Sequence, residues 1–131
     1  MTTEITMLVW SAGLLLALVL VQAVSGILAQ GAGPMAGSRD DLPPPKRFQA
    51  RMKRVVDNHR EGLIIFAALV LAGAAAGVHN QWTALGAQLF FYARVVHAAL
   101  YIAGVPWVRP IAWAVGIVGT GMILVSLLGL L

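Results

Sequence analysis

Apolar positions fill the chain in four long runs, and polar residues gather in the short stretches between them. Ile5 to about Ala29 is interrupted only by Thr6, Ser11, Gln22 and Ser25, a run longer than the roughly 20 residues needed to cross a bilayer. It also exceeds the roughly 7–15 residues of a signal core, and Glu4 rather than a basic residue precedes it, so this first span is expected to be retained. From Gln30 to Pro45 the pattern breaks. Gly31, Gly33, Pro34, Gly37, Asp40, Asp41 and the triplet Pro43, Pro44 and Pro45 predict an irregular polar loop. Proline is tolerated at the first helical position, so a second span is predicted from about Lys46 to Val78, starting in water and entering the membrane near Gly62. A turn over Val78 to Gln81 leads to a third span, from Trp82 to Ala103. Gly104, Val105 and Pro106 make the next turn, before a fourth span from Trp107 to Leu131. The pattern predicts a single all-α domain over residues 1–131, an integral membrane four-helix bundle.

Composition agrees with this pattern and narrows the chemistry. Hydrophobic side chains make up 60% of the chain and charged ones 11%, well below the roughly 25% of soluble domains. Mean hydropathy is +0.85. With no cysteine, the chain has neither disulfides nor a sulfur nucleophile of its own, so any thiol chemistry must use a thiol carried by a ligand. His59, His79 and His97 share no metal-ligand spacing, so no metal site is assigned, and neither a phosphate loop nor a Ser/His/Asp set is visible.

The net charge of +4 would point to nucleic acid in a soluble protein. Here seven of the nine Lys and Arg lie between Arg39 and Arg60, and the positive-inside rule turns that cluster into an orientation. The first and third loops are expected in the cytoplasm and both termini on the other side, with Lys46 and Arg47 solvated or against lipid phosphates. Trp82, Trp107 and Trp113 read as interfacial anchors. Gly73 with Gly77, and Gly116 with Thr120, read as small-residue faces for helix packing.

Two polar stripes then stand out. At the start of the second span, Arg54, Asn58 and Glu61 share a helix face that Arg51 continues, while Asp57, His59 and Arg60 are expected to point elsewhere. On the third span, Arg94, His97 and Tyr101 form a second stripe climbing toward Arg109 beyond the turn. The two spans run in opposite directions, so the stripes reach similar depth. A guanidinium as deep as Arg94 costs at least about 2.5–3.5 kcal/mol on insertion scales, and Glu61 is its natural candidate partner. The plainest reading is that these two residues neutralise each other. The sharper reading starts from the excess of Arg51, Arg54, Arg94 and Arg109 over that one carboxylate. It predicts a cationic pocket suited to a small polycarboxylate, with Asn58 adding hydrogen bonds and Glu61 able to receive an ammonium.

Arg54-x-x-x-Asn58-x-x-Glu61 opening a second membrane helix, followed by Arg94-x-x-His97-x-x-x-Tyr101 on the third, resembles the MAPEG family, the membrane-associated proteins of eicosanoid and glutathione metabolism. The likeness extends over essentially the whole chain and is to bacterial-like members similar to microsomal glutathione transferases. It implies a homotrimer in a bacterial inner membrane, with glutathione as co-substrate held between subunits by Arg54, Asn58, Glu61, Arg94 and Tyr101. His97 falls where relatives carry His or Tyr and is included with them. Arg109 resembles the family's thiol-activating arginine and is the implied catalytic residue.

The same resemblance implies a transferase or peroxidase acting on a lipophilic electrophile or hydroperoxide. A cation and a helix N-terminus both favour thiolate, and Arg109 at the mouth of the fourth span supplies both. Gly62 replaces the tyrosine of leukotriene-type relatives, Gln30 and Gly31 replace basic residues of several eukaryotic members, and Pro110 replaces a serine of the prostaglandin-type member. Eicosanoid synthesis is therefore not implied. The alternative is a non-catalytic membrane protein that binds a small anion or lipid on the same fold; a pore or transporter ranks third, because no inverted repeat or broken helix is visible.

Overall fold

In a computed structural model that describes residues 1–131, the chain is all-helical. Four long helices, α1 (Thr3–Gln30), α3 (Arg47–Ala76), α4 (Gln81–Ala103) and α5 (Val108–Leu127), are each long and apolar enough to cross a membrane, and this is an integral membrane protein. A short helix, α2 (Ala32–Ala36), lies in the stretch expected to be irregular.

The boundaries follow from local chemistry. The Thr2 hydroxyl accepts from Ile5 N–H at 3.4 Å, and α1 stops where Gly31 takes φ +91°. α3 starts directly after the proline triplet, with Gln49 Oε1 accepting from Lys46 N–H at 2.9 Å. It ends at Gly77 in the left-handed region. Asn80 caps α4 by accepting from Trp82 N–H and Thr83 N–H at 2.8 and 2.9 Å. At about 1.5 Å per residue, the 30 residues of α3 reach about 45 Å, so its basic first turns extend beyond a hydrocarbon core of about 30 Å.

Heptad spacing governs what is buried. On α3 the seam is Met52, Val56, His59, Leu63, Phe66, Val70 and Gly73, alternating four and three residues apart, the repeat of knobs-into-holes packing. On α1 only a thin line is covered, Glu4, Ser11 and Leu18 at intervals of seven and then Gly26. Two apolar clusters result. Leu63, Phe66, Val70, Ala87, Phe90 and Ile123 fill the half toward the Asn80 turn, where the Phe66 and Phe90 rings stack at 4.0 Å. Leu18, Met52, Val55, Val56 and Ala98 fill the other half. Between the clusters lies a buried polar layer, from Ser11 through His59 to Arg94.

α4 and α5 pack most intimately. Their closest approach is at Gly86 and Gly119, where a Cβ on Gly86 would stand 2.5 Å from the Gly119 carbonyl oxygen. That contact, rather than the expected Gly73 and Gly77 face, is where two backbones touch; Gly77 serves as the α3 cap. Many large apolar side chains on the outer surfaces are exposed, including Leu16, Ile64 and Ile111, as a lipid-facing bundle requires.

Candidate functional site

Both stripes lie toward the Tyr101 end of α4, and most of their members meet. Arg94 is buried, 3% exposed, and is threaded between two glycines: a Cβ on Gly116 would stand 3.5 Å from its Cδ, and one on Gly62 would stand 3.9 Å from its Cζ. Its Nη2 donates to Asn58 Oδ1 at 2.6 Å and its Nε donates to His59 Nδ1 at 3.4 Å. Two expectations are corrected here. The partners of Arg94 are Asn58 and His59, whereas Glu61 is exposed and makes no ion pair; and His59, expected to point away, is 2% exposed at the centre of the helix contact. The missed signal was periodicity, since His59 is the one ionisable member of an otherwise apolar heptad seam.

Nearer the end of α4, Tyr101 collects the remaining cations. The Arg109 guanidinium sits 4.3 Å from its ring centroid and that of Arg54 5.7 Å, cation–π contacts that gather positive charge around the phenol. His97 is buried, with its ring edge-on to Tyr101 at 5.7 Å. Arg109 lies in the first turn of α5, at the positive end of the helix dipole. Arg51 does a different job from the one its stripe suggested. Its Nη1 donates to the Ile102 carbonyl at 3.5 Å, beside the left-handed Gly104, so it caps the carboxyl end of α4.

The ion pairs of the chain, Lys53 with Asp57 and Arg60 with Asp57, lie on the exposed side of α3. Neither Arg54, Arg94 nor Arg109 meets a carboxylate. Tyr101 lies seven positions beyond Arg94, a rise of about 10 Å and close to the span of an extended tripeptide. An apolar groove of about 220 Å³ adjoins this row, with Arg94 and Phe90 at its floor and Ile65, Trp113 and Ile117 among its walls. A fixed row of anion-seeking groups therefore borders a space for a lipophilic body.

The sequence model of the MAPEG family matches residues 7–129. The chain belongs to the MAPEG family. No curated protein and no solved structure matches it. MAPEG membership places this site in a group that includes glutathione transferases, peroxidases and other membrane proteins. The residues expected at the site lie on three helices: Arg54, Asn58 and Glu61 on α3, Arg94, His97 and Tyr101 on α4, and Arg109 on α5. Asn58 and Arg94 join directly, Arg54 and Arg109 meet at Tyr101, and Glu61 stands apart on the open face.

Proposed function

We propose that this protein binds glutathione along the row from Arg94 to Arg109 and uses its thiolate against a lipophilic electrophile or hydroperoxide. The observation that carries this reading is that Arg54 and Arg109 meet at Tyr101, about two helical turns from Arg94, and that none of the three meets a carboxylate of the chain. The guanidinium forks of Arg54 and Arg94 suit the two carboxylates of that tripeptide, the Arg109 cation suits its sulfur, and the unpaired Glu61 suits its ammonium. Arg54 and Glu61 are exposed in a single subunit, which agrees with a homotrimer in which a neighbour closes the site.

Arg109 and the first turn of α5 favour thiolate over thiol, and no protein nucleophile is required. In the transferase reaction the sulfur's electron pair forms the new bond to carbon and the leaving group departs with its electrons. In the peroxidase reaction the thiolate attacks the terminal peroxide oxygen and takes up that hydroxyl as a sulfenic acid, the alkoxide leaves and is protonated to an alcohol, and a second glutathione displaces the hydroxyl as water to close the disulfide. The groove beside Arg94 gives the second substrate a route from the bilayer.

Purified protein in lipid nanodiscs should bind glutathione, show thiolate absorbance near neutral pH, and turn over either a panel of model electrophiles or a lipid hydroperoxide. Binding without thiolate or turnover would favour a non-catalytic binder. In the proposed orientation, a reporter fused after Leu131 is active only outside the cytoplasm; cytoplasmic activity would refute that topology.

A further inference from the structure

We propose that His59 is the positioning residue that aims Arg94 at the ligand, and that it takes its own orientation from the backbone of α1. This inference rests on the glutathione reading above and adds to it a residue outside the two stripes.

Two contacts on the imidazole fix its protonation pattern. His59 Nε2 lies 2.9 Å from the Ser11 carbonyl oxygen, which can only accept, so Nε2 carries the proton. Nδ1 then presents its lone pair, and what it meets is Arg94 Nε–H, which can only donate, at 3.4 Å. Either contact alone would leave the ring free to turn. Together they make it a rigid spacer between α1 and α4, with the Phe90 ring in offset stacking 6.4 Å away at an interplanar angle of 26°.

The consequence falls on Arg94. Of its five N–H donors, His59 takes the Nε–H and Asn58 one Nη2–H, leaving three that meet no group of the chain. Arg94 also lines the groove between α3 and α5. A free arginine side chain samples many rotamers; here Gly62, Gly116, Asn58 and His59 restrict it before a ligand arrives. His59 holds the inner edge of the guanidinium, so the outer edge faces the anion.

The two amide side chains separate the two contacts. Asparagine places its amide near the position of Nδ1, so His59→Asn keeps an acceptor for Arg94 and loses the Ser11 tie. Glutamine places its amide near Nε2, so His59→Gln keeps the tie to α1 and loses the acceptor. Glutathione affinity would be measured calorimetrically on the intact protein in nanodiscs, with melting temperature recorded alongside. We expect Kd to stay within about threefold of the parent in His59→Asn and to rise about tenfold in His59→Gln, the size of one charge-assisted hydrogen bond. In an Arg94→Lys background, which has no fork to aim, His59→Gln should cost less than about twofold. The cycle rests on His59→Gln, the variant that keeps the helix tie, so the inference is decided even if His59→Asn fails to assemble. Parent-like affinity in His59→Gln, or an equal loss in both backgrounds, overturns the positioning role while leaving glutathione binding intact. A parent protein that does not bind glutathione overturns both.

Discussion

Near the Asn80 turn, the buried Glu4 carboxylate accepts from the Thr83 hydroxyl, which itself accepts from Asn80 N–H at 2.8 Å, while the Asn80 side chain takes two backbone N–H groups of α4. Near Tyr101, at the other end of the same helix, Arg54, Arg94 and Arg109 meet no carboxylate. Both layers place costly groups within a membrane bundle. The first is matched by the chain itself and ties α1 to α4. The second leaves arginines that no carboxylate of the chain pairs. A polar group that closes on its own chain is read as architecture, and one that stays open as a receptor. The contrast is testable because the two layers should fail in different ways.

The largest effect should come from Arg109. Arg109→Ala is expected to lower turnover by about 10²–10³ and abolish the thiolate absorbance near neutral pH, with glutathione affinity nearly unchanged. Arg109→Lys should recover part of the rate, since it keeps the charge without the fork. If the alanine variant matches the parent in thiolate and rate, Arg109 is an anchor of α5 and Tyr101 becomes the next candidate.

Arg54 tests binding alone. Arg54→Ala removes a charge-assisted contact worth about 1.5–3 kcal/mol, so calorimetry should find glutathione bound about ten- to a hundredfold more weakly. The melting temperature should hold, because Arg54 is exposed and its ring contact with Tyr101 is long. Unchanged affinity would remove the best-matched motif position from the site.

The architectural layer should respond in the opposite sense. Thr83→Val leaves the Glu4 carboxylate buried without its partner and takes the Thr83 hydroxyl from Asn80 N–H, a cost of about 1–3 kcal/mol. Glu4→Ala should cost less, because the Thr83 hydroxyl can still donate to the Asn80 carbonyl at 2.9 Å. Both variants should keep the parent's glutathione affinity. Loss of affinity in Thr83→Val would mean that the two ends are coupled.

What the sequence made legible divides along the same line. The four spans were readable because bilayer thickness sets the length of an apolar run. The motif positions were readable as types at fixed spacing. Which of them touch was not, because spacing along α3 fixes their angles relative to one another and leaves open how the helix turns toward α4. Spacing grouped Arg54, Asn58 and Glu61 on one face, yet α3 is rolled so that the heptad seam through His59 faces inward. The Gly86 and Gly119 contact was hidden for a related reason: Gly86 has no small residue four positions away on α4, so only the crossing of two helices reveals it.

Glu61 gives the smallest effect and decides most directly between the two readings of Arg94. If the two residues neutralised each other inside the bundle, Glu61→Ala would strand a buried charge, a loss of about 3–5 kcal/mol that would show as a large drop in melting temperature. In the structure Arg94 is held by Asn58 and His59, and Glu61 stands on the exposed face of α3 with no ion pair. Glu61→Ala should therefore leave the melting temperature unchanged and weaken glutathione binding only about two- to fivefold, the size of an exposed contact with an ammonium group. Desaminoglutathione, which lacks that ammonium, sharpens the test, because it should bind parent and variant equally. If the variant melts well below the parent, Glu61 does pair with a buried arginine in the assembled protein, and the layer near Tyr101 is less open than a single subunit makes it.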